Sequence, residues 1–450
     1  MLKRNIIIIG IIVLLAIGIY PVSSLIREQM DRRSGNEQYV PAVGEYQADK
    51  CRAMLQAAKT KYEKEAPPNG VSRQPLDPIR DITEPRYRKT DAGYYDDPEA
   101  EDSGEALLMF TGDIMCRYEQ QDAAVKKYGR PDFSDSFVYM EDVFDDADLV
   151  AGNLETTISE STKYTLEENM TDGLPNRNAQ STYLDAVRDA GIDMVMTGNN
   201  HCLDGGVRSI YETIFHLDQY GLMHTGTFLN AEDRADHPYV MADVNGIKVA
   251  FISYSDTFNL HDRNLTEEGR KCLINKYNAD KAEDDIRSAR AAGAEFVVVY
   301  THLGKEYSHD VTEKQKKEVK EAAEEGADFV VNLHPHVVQK SDTITTSDGR
   351  TVPVAYCLGN FISSMEENDR RETAVLKLSL MKDGDSVQIT DFTFIPCFTV
   401  PEYEGNVYTV VPLTPERVRD NEELAEEVRS IRKYIGDHIS CEYSYRNGRH

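Results

Sequence analysis

Thr197-Gly198-Asn199-Asn200-His201-Cys202-Leu203-Asp204-Gly205-Gly206 puts an amide, an imidazole and a carboxylate into one glycine-framed loop. Asn200 can offer its amide oxygen to a cation, and His201 can carry a proton near neutral pH. Asp204, three residues on, is close enough to orient or charge that imidazole. The same residues would also serve as a polar turn whose Asn and Asp only cap a helix. Five further segments bear on the choice, each following an apolar run: Thr111-Gly112-Asp113, Gly152-Asn153-Leu154-Glu155, Thr301-His302 with Glu306 nearby, Asn332-Leu333-His334-Pro335-His336, and Leu358-Gly359-Asn360. If these ends share one edge of a sheet, their side chains converge on one pocket. Four of the eleven histidines (201, 302, 334, 336), with Asp113 and Glu155, then make a nitrogen and oxygen donor set without thiolates. Such a set suits Mn, Fe or Zn.

The elements that must position these residues follow from periodicity. Strand-length apolar runs are expected at 106–111, 148–152, 192–197, 248–254, 295–300, 328–333 and 352–357, and helical patterns at 183–190, 207–220, 279–292 and 312–325. Gly191, Gly221, Gly293 and Gly326 each close a helical stretch, where a left-handed cap is favoured. Strands alternating with helices predict an α/β layered domain. In open α/β sheets ligands bind beyond the carboxyl ends of the strands. After Arg371 two consecutive strands flank Lys382-Asp383-Gly384-Asp385, which predicts an antiparallel hairpin at a sheet edge. A charged helix over 415–435 is expected to close the chain.

Composition narrows the partners. With 50 Lys and Arg against 78 Asp and Glu, the formal charge is −28. That excludes nucleic acid, whose binding rests on basic residues neutralising phosphates. Seven cysteines without any CxxC pair exclude a zinc ribbon or thioredoxin-like site. Lys3-Arg4 precede an apolar run from Ile6 to Tyr20, between signal-peptide and membrane-span length. The expectation is a single N-terminal membrane pass over 1–26 with the body outside the cytoplasm, or a secreted protein should the segment be cleaved. Residues 27–104, rich in charge, Pro and Tyr, read as a partly helical spacer. The body then covers 105–405, and 406–450 form the C-terminal helix and tail.

The series GDIM, GNLE, GNNHCLDGG, THLGKEY, HPHVVQ and LGNF, in this order over about residues 105–400, resembles the CapA/PgsA capsule-synthesis family. That family is associated with poly-γ-glutamate synthesis and export and is similar to calcineurin-like metallophosphoesterases. The resemblance implies a four-layer α-β-β-α sandwich of the metallophosphoesterase type. It implies one or two divalent ions held by Asp113, Glu155, Asn200, His302, His334 and His336. His201, supported by Asp204, takes the place of the general acid, and Asn153, Glu306 and Asn360 take places that orient ligands. Met115 stands where the wider superfamily has a histidine ligand, a departure that weakens one metal position. The implied partners are membrane-embedded polymer synthase subunits and an anionic envelope polymer or phosphoester substrate. Three functions fit this picture: a metal-dependent hydrolase, a non-catalytic accessory subunit, and a binding protein for an anionic ligand.

Overall fold

A computed structural model of the chain describes residues 85–160 and 177–445, which fall within one compact unit. The expected membrane segment and most of the expected spacer lie outside the described residues. Among those described, no helix is long and apolar enough to cross a membrane.

In chain order the strands are β1 (Arg88–Lys89), β2 (Tyr95–Asp96), β3 (Glu105–Ile114), β4 (Leu149–Leu154), β5 (Thr157–Ile158), β6 (Asn178–Ala179), β7 (Met194–Met196), β8 (Met223–Thr225) and β9 (Val240–Val244). They continue with β10 (Ile247–Ser255), β11 (Phe296–His302), β12 (Phe329–Leu333), β13 (Ser341–Thr345), β14 (Thr351–Ala355), β15 (Glu372–Asp383), β16 (Ser386–Tyr403), β17 (Asn406–Pro412) and β18 (Ser440–Cys441). One mixed sheet has the order β1-β2-β9-β10-β11-β12-β14-β13. The other runs β17-β16-β15-β3-β4-β7-β8, with β18 beside β16. Thus β1 and β2, from the expected spacer, lie along the sheet of the body, Tyr95 pairing with Ala242.

Each sheet contains a run of four parallel strands, β10-β11-β12-β14 in the middle of the first and β3-β4-β7-β8 at one end of the second. Parallel strands are covered on both faces and so read as unbroken apolar runs. Alternation along β11 shows the layers. Val298 and Tyr300 face the other sheet, while Val297 and Val299 meet the helices Ala279–Ala291 and Glu313–Glu324. The second sheet is covered likewise by Tyr118–Tyr128, Thr182–Asp189 and Gly206–Tyr220. Between the sheets the Phe110 ring sits 5.0 Å from Phe329 and 6.3 Å from Tyr300. Truncating such a buried ring to alanine costs about 3–5 kcal/mol.

The amino ends of the parallel strands share one device. Asp148, Asp193, Glu295 and Asp328 each accept the backbone N–H of the neighbouring strand, from Leu107 (2.7 Å), Val150 (2.9 Å), Lys248 (3.1 Å) and Val297 (2.7 Å) respectively. The backbone N–H of each acid donates back to the carbonyl of the same residue. Register is thereby clamped where each strand enters its sheet.

Two expectations are corrected. The hairpin β15–β16 is not at an edge, because β15 pairs with β3 and β16 with β17. The C-terminal helix is two helices, Pro415–Val418 and Glu422–Ile435. Asn421 breaks them by accepting the N–H of Leu424 as an N-cap, a role that competes with continuing a helix. Among the described residues no cysteine is in a disulfide, and Cys116, Cys202, Cys272, Cys357 and Cys397 are buried as small core side chains.

Candidate metal centre

The carboxyl ends of the strands supply the opposite environment. Asp113 ends β3, Glu155 follows β4, Asn200 and His201 follow β7, His302 ends β11, and His334 and His336 follow β12. β3, β4 and β7 belong to one sheet and β11 and β12 to the other, so the residues meet across the end of the sandwich and not along one sheet edge. Asn360 lies where the chain crosses from β14 to β15. There Gly359 O accepts the Asp113 N–H at 3.0 Å. A Cβ on Gly112 would meet Gly359 O at 2.1 Å, and one on Gly359, whose φ is 76°, would meet Glu372 O at 2.3 Å, which is why glycine stands in both motifs.

The Glu155 carboxylate is at the centre. His336 Nε2, His302 Nε2 and His201 Nε2 lie 3.5, 3.7 and 3.8 Å from its Oε1. Both Glu155 oxygens are buried and find no hydrogen-bond donor. Around them, three groups could each hold an ion, with ligand atoms within 4.8 Å of one another: Glu155, His302 and His334; Asp113, Glu155 and His336; Glu306, His334 and His336. Glu306 is exposed, and a carboxylate oxygen of it lies within 4.8 Å of ring nitrogens of His334 and His336.

A web of amides fixes the remaining geometry. Asn153 Nδ2 donates to Asp113 Oδ1 at 2.8 Å, and Asn199 Nδ2 donates to Asn153 Oδ1 at 3.1 Å and Leu154 O at 2.8 Å. Asn200 Oδ1 lies 2.9 Å from His302 Nε2, and Asn360 Oδ1 lies 2.9 Å from His336 Nδ1. His201 Nδ1 is 2.6 Å from Asp204 Oδ2, which also accepts the Arg177 N–H. Met115 is buried and adds no imidazole; its carbonyl accepts from Gln120 Nε2 and Tyr183 Oη.

Backbone strain marks the same loops. His334 (φ 100°), His336 (φ 60°) and Tyr307 (φ 60°) occupy the left-handed side, at a cost of about 1–3 kcal/mol each. Electrostatics follow burial. Burial, then the neighbouring Asp113, pushes Glu155 well above the usual carboxylate range. Burial, then His334 and His336, holds His302 well below an ordinary histidine, and burial with His336 brings His334 down to about 3. Burial and the Arg177 charge likewise lower His201, despite its bond to Asp204. Of the two roles open to Asp204, orienting or charging this ring, the second is opposed by desolvation, which outweighs the carboxylate. The Cys357 thiol nearby is pushed well up by burial and Asp113, so no thiolate joins the cluster.

These features pass a test of fit for a divalent cation. Neutral imidazole nitrogens and an unpartnered buried carboxylate are what such an ion coordinates. Sequence reading assigned no role to Asn199, Asn259, Arg117, Arg177 or Arg370, nor to Tyr307, the last residue of the THLGKEY motif. Asn199 could have been read from its place in the GNNH motif, whereas Asn259, 3.3 Å from Asn200 Nδ2, has no local signal.

Residues 107–365 match the family described as Bacterial capsule synthesis protein PGA_cap. The Capsule biosynthesis protein CapA of Bacillus anthracis is 26% identical over 280 residues, covering 62% of this chain and 65% of that protein, just under two thirds of its length. The PGA biosynthesis protein CapA of Bacillus subtilis (strain 168) is 26% identical over 301 residues, covering 65% of this chain and 73% of that one. Among solved structures, the calcineurin-like phosphoesterase YfkN from Bacillus subtilis aligns with a TM-score of 0.41 and 14% identity, over 73% of this chain and 98% of that one. With more than half its length matched, the chain belongs to the bacterial capsule synthesis PGA_cap family.

Proposed function

We propose that the protein is a metal-dependent hydrolase or transferase of capsule polymer assembly, of the poly-γ-glutamate type, acting on a phosphoester or a related electrophile of an anionic envelope polymer. In this reading residues 1–26 anchor it to the cell membrane, the body works outside the cytoplasm, and membrane-embedded synthase subunits are its partners. The observation that carries the proposal is the cage of imidazoles around the unpartnered Glu155 carboxylate.

Asp113, Glu155, Asn200, His302, His334 and His336 would hold the ion, with Mn, Fe or Zn suited to this donor set. A bound divalent ion supplies Lewis acidity and a water of lowered pKa. The chain itself supplies orientation and proton movement. Asp204 ties His201 through Nδ1, so proton exchange with the reacting group runs through Nε2, the atom that faces Glu155. Asn153 and Asn199 brace Asp113, and Asn360 braces His336, as partners behind metal ligands do.

The test is turnover of a generic phosphodiester by the purified full-length protein. The expected result is metal-dependent hydrolysis that disappears in His201→Ala while bound metal remains. Met115, buried in place of a ligand, favours a second reading, an accessory subunit with a reduced metal site. Retained metal with no turnover on any phosphoester would select it.

A further inference from the structure

The body of this protein is acidic, yet three arginines from distant segments gather at the mouth of the metal cluster. Arg117 follows β3, Arg177 precedes β6, and Arg370 lies in the crossover before β15. Tyr307 is their shared neighbour. The Arg370 guanidinium lies 3.9 Å from the centroid of the Tyr307 ring, and that ring is 5.9 Å from the His336 ring. Arg117 and Arg177 both act electrostatically on this phenol, and Arg177 also acts on Glu155 and His201. Arg177 is further fixed through its backbone N–H, which donates to Asp204, the residue that orients His201.

The three guanidiniums are under-used. The Nε of each is buried and has no acceptor among the described residues. Arg234, whose Nε is likewise unmet, differs in having a buried carboxylate partner, pairing through Nη2 with Asp285 at 2.5 Å. Burial, and after it repulsion from Arg117, depresses Arg177. Arg117 and Arg177 have no ion pair among the described residues, and half-buried cations that repel one another are costly, a cost that an anion removes. Arg370 carries a pair to Glu367 at 2.9 Å, but Glu367 is exposed, so a stronger acceptor can displace it.

We propose that Arg117, Arg177 and Arg370 form an oxyanion subsite that holds a carboxylate or phosphate group of the ligand beside the metal cluster. Guanidinium forks match both groups bidentately, so the shared chemistry is the planar or tetrahedral oxyanion. The subsite rests on the metal-centre reading above for its catalytic meaning. It places the held anion on the Tyr307 and His336 side, with the reacting atom towards Glu155 and His201. An acidic body thereby accepts an anionic ligand without a basic run in its sequence.

The test titrates inorganic phosphate and, separately, glutarate into the metal-loaded full-length protein by calorimetry, with metal content measured alongside. At least one probe is expected to bind, about tenfold or more weakly in Arg177→Gln and in Arg370→Gln, at unchanged metal content. Arg370→Lys keeps the charge but not the fork, and is expected to fall between wild type and Arg370→Gln. Binding of phosphate alone assigns a phosphate group, and of glutarate alone a carboxylate. Affinities within about twofold of wild type in both glutamine variants would overturn the subsite. So would a wild type that binds neither probe, or variants that lose their metal, which would make the arginines props of the cluster. A wild type without metal defeats the metal-centre reading instead, and the same titration on that protein still decides the subsite.

Discussion

The two ends of the parallel strands carry the same kinds of side chain in opposite states. At the amino ends, Asp148, Asp193, Glu295 and Asp328 are each satisfied by a backbone N–H, and Asp328 by Arg290 as well. At the carboxyl ends, Glu155 has no donor on either oxygen and faces the His302 and His201 imidazoles, which burial holds neutral. One set of acids spends its hydrogen-bonding capacity on register, and the other leaves it open for a ligand. Residue type alone does not separate the two kinds of carboxylate; among the described residues Glu155 is the one whose two oxygens are both buried and unmet.

The largest expected effect breaks that comparison from the functional side. Glu155→Gln should lower metal affinity by about 100-fold or more, beyond the range seen when a supporting partner is lost. In metal-free protein the same change should raise the melting temperature at pH 8. A carboxyl whose folded pKa is raised contributes stability at low pH and loses it as pH climbs above its ordinary value, and the amide removes that loss. From the structural side, Asp193→Ala should leave metal content untouched and cost about 1–3 kcal/mol in chemical denaturation, because the Val150 N–H is orphaned. A loss of metal in Asp193→Ala would erase the distinction between the two ends.

Smaller effects sharpen it. His334, brought down to about 3, stays neutral while an unfolded histidine protonates near 6.5. Its contribution to stability is therefore present above pH 6.5 and lost as pH falls towards 3. His334→Asn, which tolerates the left-handed backbone, should flatten the acid limb of a melting-temperature profile of metal-free protein. An unchanged limb would show that this ring does not sit neutral in the fold. The smallest effect concerns Glu372, which burial and a hydrogen bond with Glu427 push upward. Its stabilising contribution is complete at low pH and fades as pH rises above the usual carboxylate value, so Glu372→Gln should gain on wild type at pH 9 and match it at pH 4. Equal melting at both pH values would remove the shared proton.

Much of the centre was legible in sequence because parallel strands are apolar and end abruptly in polar residues. Asp113, Asn153, Glu155, His201, His302, His334, His336 and Asn360 stand within a few residues of such ends. What spacing does not contain is which strand pairs with which, so the split of the cluster between two sheets was invisible. Arg117, Arg177, Arg370 and Tyr307 lie in charged segments with no periodic signal, and only the fold brings them together. The acid clasps recur as Ala-Asp-Leu-Val, Ile-Asp-Met-Val, Ala-Glu-Phe-Val and Ala-Asp-Phe-Val, yet their role depends on backbone pairing. The state of His201 turned on desolvation, which a nearby aspartate in the sequence does not reveal.

The central claim is that Glu155 and its imidazoles form a cation cage, and metal analysis of the purified full-length protein by mass spectrometry tests it most directly. The account predicts at least one tightly held equivalent of Mn, Fe or Zn in wild type, absent from Glu155→Gln and from the His334→Ala, His336→Ala double variant. Wild-type protein that takes up none of these ions, or a Glu155→Gln protein that keeps them equally, would contradict it.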